Sequence, residues 1–195
     1  MNVSRALVLA AVPLVLSACS TTSGSTATPQ VQTFDSLQGY FNYTDQILAD
    51  IGDSYFDEPS ELQPGGRSQY VGVMEIGDDL GVLAAGALSL NVNFSDSTVS
   101  GTASDFVDFE DLPVSGQLNI TNGNIDRNAD LVYEYTFVAD MDGRLTTTPR
   151  EVIDVSSVIF GDFFQDQAYV TGGATGEYTL NGVDYPMSGF FAAER

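Results

Sequence analysis

A period of two governs this chain from Gly66 onward. Leu88, Leu90, Val92 and Phe94 alternate with Ser89, Asn91, Asn93 and Ser95. Val114, Gly116, Leu118 and Ile120 alternate with Ser115, Gln117, Asn119 and Thr121, and Leu131, Tyr133, Tyr135 and Phe137 form a third such face. Side chains on a strand point alternately to opposite faces, so this pattern predicts antiparallel strands with one face buried and one in water. Further strands are predicted over Ser68 to Met74, Val99 to Phe106, Val155 to Phe164, Val170 to Leu180 and Val183 to Ala193, which makes eight. Asn181-Gly182 is a two-residue hairpin signal, Asp142-Gly143 is read as closing another hairpin, and Asn122-Gly123 as ending or bending a strand. Eight strands joined by short turns predict an all-β fold, a single antiparallel barrel closed on itself so that no sheet edge is exposed. Glycines inside the strands, such as Gly101, Gly116 and the pair Gly172-Gly173, suit the coiling of a small barrel.

The N-terminus is of another kind. Arg5 is the only charge ahead of an apolar run from Ala6 to Leu16, which is too short to span a bilayer and reads as a secretory signal. It ends Leu16-Ser17-Ala18-Cys19, which resembles the bacterial lipobox, where a Leu and two small residues precede the cysteine that takes the lipid. Cys19 is the one cysteine in the chain, so it has no intramolecular disulfide partner. The expectation is cleavage before Cys19, lipidation of its thiol and stable anchoring by several acyl chains. Ser20 rather than Asp after the cysteine favours the outer membrane. Residues 20 to 33 carry no charge and few large apolar groups, and read as a flexible tether of roughly 20 Å.

Composition removes whole classes of chemistry. The mature chain of 195 − 18 = 177 residues is enough for one domain, and it holds no histidine, tryptophan or lysine. Without His there is no Ser-His-Asp triad and no imidazole metal ligand. Haem ligation would fall to Tyr or Met, with Tyr169 the first suspect. No cofactor, metal or catalytic residue is therefore expected, and no enzyme. The balance of 27 acidic residues against six basic ones repels nucleic acid and anionic lipid. Attraction of a cationic partner is one reading of such a surface; the spread of the acids along the chain favours the other, solubility in a salty environment.

Between tether and barrel, residues 34–64 read as a helix and a loop. Asp35 is placed as the cap with Gln38 three residues on, then Leu37, Tyr40, Phe41, Thr44, Ile47, Leu48 and Ile51 fall at helical spacing and Gly52 stops the helix. The organisation is thus a signal peptide (1–18), a lipidated tether (19–33), a helix and loop (34–64) and a barrel (65–195).

The stretch Gly161-Asp162-Phe163-Phe164-Gln165-Asp166-Gln167-Ala168, continuing to Gly172-Gly173 and Gly176, resembles the strand-loop-strand signature of the transferrin-binding protein B family of surface lipoproteins. The ending Gly189-Phe190-Phe191-Ala192-Ala193-Glu194-Arg195 is similar to that family's closing strand, and Gly66-Arg67-Ser68-Gln69-Tyr70-Val71-Gly72 to its first one. Gln165 stands where the signature has Gly, and a single barrel is present without the handle domains and second lobe of the transferrin binders. The resemblance implies a barrel over about residues 65–195, with Phe163 and Phe164 on opposite faces and a binding rather than catalytic role.

The function expected is a non-enzymatic binding or surface-interaction lipoprotein, anchored through Cys19 to outer-membrane lipid at the cell surface, with an unknown protein or small molecule at the barrel loops. The alternative is a structural envelope lipoprotein on the periplasmic face. Loops on a rigid scaffold carry function, which nominates Asp105 to Asp111, Asp140 to Arg144 and Gln165 to Tyr169 at one end of the barrel. The start Asp140-Met141-Asp142-Gly143 has the spacing of a calcium loop, but the middle ligands are missing and a hairpin turn explains it better.

Overall fold

The computed structural model describes residues 29–148 and 150–195. The signal peptide, Cys19 and most of the tether lie outside them. One helix, α1 (Leu37–Ile51), a single turn of 3-10 helix (Pro59–Glu61) and eight strands follow in order: β1 (Arg67–Asp78), β2 (Gly81–Asn93), β3 (Thr98–Asp108), β4 (Pro113–Ile125), β5 (Phe137–Thr146), β6 (Val152–Phe164), β7 (Tyr169–Leu180) and β8 (Val183–Glu194). Each strand pairs antiparallel with the next, and β8 returns to β1, from Val71 opposite Glu194 to Gly77 opposite Ser188. The sheet is a closed up-and-down barrel. No helix among the described residues is long and apolar enough to cross a membrane.

Alternation builds the interior. Tyr70 and Met74 of β1, Leu88 and Leu90 of β2, Leu118 and Ile120 of β4, Phe163 of β6 and Phe191 of β8 all point inward and are fully buried. Tyr70, Phe94 and Phe137 surround Phe163 with ring centroids 5.6–5.9 Å apart, and Phe137 also meets Phe191 at 6.1 Å. These spacings fit favourable tilted aromatic packing.

A second apolar cluster lies outside the barrel. Beneath α1 the outward residues of β1, β2, β3 and β8 are Val73, Ala85, Ala87, Val107 and Ala192, all buried. This is why β2 reads as a nearly continuous apolar run, for a strand covered on both faces has no reason to alternate. The helix buries Tyr40, Tyr43, Ile47 and Ile51 there, and each such side chain contributes roughly 1.5–3 kcal/mol. A fifteen-residue helix is marginal alone, so this packing is what holds it.

Three local readings are corrected. The helix cap is Ser36, whose Oγ accepts from the Gly39 N–H at 3.2 Å; Asp35 lies one residue too early. The fifth strand is β5, not Leu131 to Phe137. Residues 130–134 curl instead: Asp130 Oδ1 accepts from Val132 N–H, Glu134 Oε2 accepts from Asp130 N–H, and Tyr133 and Glu134 N–H both donate to the Asp130 carbonyl. Local side-chain bonds of this kind compete with a strand ladder and here they win. Asp142-Gly143, third, is no turn. Both sit mid-strand in β5, opposite Asn119 and Leu118 on one side and Ser156 and Val155 on the other. Gly143 is required by close approach, since a Cβ there would stand 2.2 Å from the Gln117 carbonyl oxygen.

Other turns follow their residues. Asn181 and Gly182 both take positive φ, 54° and 79°, as a two-residue hairpin demands, and Asn122 bulges β4 between Thr121 and Asn124.

Candidate functional site

The barrel has two unlike ends. The connections β2–β3, β4–β5 and β6–β7 share one end with the C-terminus, and the segment from α1 to β1 closes it. Leu62 is inserted into the core there. The Arg127 guanidinium donates to the carbonyls of Leu62, Gln63 and Phe94 at 2.9–3.0 Å. Tyr70 Oη donates to the Gln167 carbonyl at 2.8 Å, and burial pushes that phenol well above its ordinary range.

The β6–β7 connection in this clasp is strained and supported. Gln165, Asp166 and Gln167 take φ of 53°, 56° and 59°, a left-handed run for three residues with side chains. Such a conformation costs roughly 1–2 kcal/mol per residue. Its N–H groups are met by Asp57: Oδ1 accepts from Asp166 at 3.1 Å and Oδ2 from Gln167 at 2.7 Å. Gln165 Nε2 reaches the carbonyls of Asp50 and Ile51, tying the C-terminal end of α1 to the same loop.

The other end is the mouth, ringed by the β1–β2, β3–β4, β5–β6 and β7–β8 connections. Inside it lies a cavity of about 30 Å³ lined by apolar groups such as Ile76, Val114, Leu145 and Met187. That is the room of one water molecule, so the interior of this barrel is a packed core and not a ligand chamber. Tyr178 at the rim donates to Asp78 Oδ2 at 3.0 Å, and burial together with that carboxylate pushes its phenol up to about 12.

The three segments nominated from sequence do not converge. Asp105 to Asp111 runs into the mouth, while Gln165 to Tyr169 belongs to the clasp at the opposite end. Asp140 to Arg144 is mid-barrel strand. Each is used by the fold. The Asp105 carbonyl accepts from Tyr40 Oη, Phe106 is core, and Asp111 Oδ1 accepts from the N–H of Leu37 at 2.7 Å, where the N-terminal turn of α1 offers unpaired donors. Asp140 and Asp142 point outward from β5, Asp140 accepting from Asn122 Nδ2, and Arg144 makes a two-pronged ion pair with Asp154 at 2.6 and 3.1 Å on the surface. No group of three or more metal-ligating side chains occurs among the described residues.

What the sequence reading missed is an aromatic patch on the long β4–β5 loop, residues 126–136. Val132 is 76% exposed and Tyr133 85%. The ring of Tyr135 packs on that of Phe160 of β6, centroids 4.3 Å apart and planes tilted by 32°. Phe160 in turn lies across its cross-strand partner Gly173, where a Cβ would stand 2.9 Å from the ring. Val138 of β5, directly opposite Phe160, extends the patch. The signal that marks this loop is Asp126-Arg127-Asn128-Ala129-Asp130, in which Asp126 and Asp130 each accept from the N–H two residues on, as turn-forming Asx residues do.

No family model, characterised protein or solved structure matches the chain.

Proposed function

We propose that this protein is a lipid-anchored surface-interaction module, non-enzymatic, held to the outer membrane through Cys19, with the β4–β5 aromatic patch as its binding surface. The observation that carries the binding role is the exposure of Val132 and Tyr133 on the same loop as Tyr135, whose ring packs on Phe160. Large apolar groups exposed together mark interaction sites, and tyrosines are enriched at interfaces because a rigid ring offers contact area and a polar tip at small entropic cost. A packed interior with a cavity of about 30 Å³ favours a partner met on the outside of the barrel over a small molecule swallowed by it. The lipobox-like Leu16-Ser17-Ala18-Cys19 supports the anchor, and the resemblance of residues 161–176 to the transferrin-binding protein B signature supports a surface-lipoprotein lineage. Transferrin itself is not part of the proposal.

A photo-crosslinking amino acid placed at Val132, and separately at Ser100 on another part of the wall, tests the reading in cells carrying the full chain. A discrete adduct at Val132 that Tyr133→Ser abolishes is expected. Equal crosslinking from both positions would remove the patch from consideration. Protease treatment of intact cells then reports the side, since a surface-exposed domain is digested and a periplasmic one is spared.

A further inference from the structure

An exposed apolar side chain stands in, or directly after, each of the four connections around the mouth. Leu80 in the β1–β2 turn is 95% exposed, Phe109 in β3–β4 67%, Val152 after β5–β6 40% and Val183 after β7–β8 51%. None is needed by the core. Apolar tips on consecutive hairpins at one end of a barrel form a crown and not scattered singletons.

The same end receives the N-terminal segment. Leu37, the first residue of α1, is hydrogen-bonded to Asp111 in the β3–β4 turn, and Tyr40 to Asp105 close by, while the last turn of the helix reaches Gln165 at the clasped end. The chain arriving from Cys19 therefore joins the domain at the mouth. Residues 20–33 separate Cys19 from Phe34, which already packs on Tyr40 and Tyr43. A coil of that length has a root-mean-square span of about 20 Å. Strands of 12–13 residues tilted in a barrel stand about 30 Å tall. That mean span is less than the height of the barrel, and the chain enters at the mouth, so the mouth is the end held nearest the lipid on average.

We propose that the mouth is a membrane-docking face, in which Leu80, Phe109, Val152 and Val183 dip into the surface of the bilayer that holds the anchor, leaving the Tyr133 loop at the outer end. The proposal rests on lipidation at Cys19. Carboxylates beside the tips, among them Asp79, Glu110, Glu151 and Asp184, with Arg150 as the cation nearby, make zwitterionic lipid the preferred surface and anionic lipid a poor one. Anchor and crown act together: the anchor raises the local concentration of lipid, so weak apolar tips suffice to orient the domain.

The chain has no tryptophan, so one introduced indole is a unique reporter. Leu80→Trp, Phe109→Trp and, as the outer-end control, Tyr133→Trp are made in the full chain, lipidated in cells with labelled palmitate, and reconstituted on phosphatidylcholine vesicles with brominated acyl chains. Far-UV circular dichroism checks that each variant is folded. The expected result is a blue shift and loss of emission for the two mouth reporters, none for Tyr133→Trp, and weaker quenching when phosphatidylglycerol is added. Palmitate present with unquenched mouth reporters overturns docking, leaves the anchor standing and assigns the apolar tips to a protein partner. Quenching of all three reporters alike, or of Tyr133→Trp alone, also overturns it. Absence of palmitate removes the anchor and the docking proposal with it.

Discussion

Phe191 is where the closure of the barrel can be tested by one side chain. It is fully buried near the end of β8, 6.1 Å from Phe137 between ring centroids. Its ring lies over Gly161, where a Cβ would stand 2.8 Å from Cζ. Phe191→Ala leaves a void that β-sheet backbone on every side cannot collapse into, so the loss is about 3–5 kcal/mol. A domain of this size has about 5–15 kcal/mol in all, so the variant should fold with a Tm lower by about 6–20 °C. Gly161→Ala attacks the same contact from the other side and also drives a methyl to 2.5 Å from the Thr171 carbonyl oxygen. It should cost about 1–3 kcal/mol by overpacking. Deleting Gly189 to Arg195 goes further. It removes Phe191 and every β1–β8 pair from Val71–Glu194 to Ile76–Gly189, and leaves two unpaired edges. That truncation should be unfolded or aggregated. Chemical denaturation, far-UV circular dichroism and size-exclusion chromatography give the answer together. A monomeric truncation with an unchanged β spectrum and Tm, or a Phe191→Ala loss below about 1 kcal/mol, would show that the last strand is a tail and refute the closed-barrel reasoning.

Four other outcomes are expected. Cys19→Ala should abolish palmitate labelling and release the protein from membranes on fractionation; a mutant that stays labelled would disprove the anchor. Asp57→Ala leaves the N–H groups of Asp166 and Gln167 without their acceptor and should cost about 1–3 kcal/mol in urea melts, whereas Asp166→Gly, which relieves a left-handed φ, should stabilise by up to about 1 kcal/mol. Burial beneath α1 pushes the Glu75 carboxyl above its ordinary value, although the Thr44 hydroxyl bond pulls it partly back. The folded state then takes up that proton first, so this group adds stability as pH falls through its raised folded value, and Glu75→Gln should raise Tm at neutral pH by a few degrees at most, the difference closing in acid. Haem titrated into the folded protein should give no stoichiometric Soret shift, because the chain has no His and Tyr169 is packed against the α1 cluster; a tight shift lost in Tyr169→Phe would contradict this.

The barrel was legible because its cause is local. Alternation at Leu88–Phe94 and Val114–Ile120 needs only the two-residue period of a strand, and Asn181-Gly182 sets its turn by its own φ preferences. Eight such strands with short connections leave closure as the way to remove both edges. The lipobox-like motif and the absence of histidine are also properties of the chain alone. What the tertiary structure decided is everything that depends on who stands opposite. Gly143 read as a turn because glycine favours turns, yet it is there to let β5 approach Gln117. Tyr133 and Tyr135 read as strand because they alternate, yet Asp130 and Glu134 bend that segment away, leaving Tyr133 in water and Tyr135 against Phe160. The acidic and aromatic segments at Asp105–Asp111 and Gln165–Tyr169 looked like neighbours on one rim and lie at opposite ends, since strand direction, not composition, assigns a loop to an end. The run of small apolar residues in β2 and the crown of Leu80, Phe109, Val152 and Val183 acquire meaning only once α1 is seen lying along the wall from the mouth to the clasp. Sequence carries the period of burial; only the closed sheet says what each face is buried against.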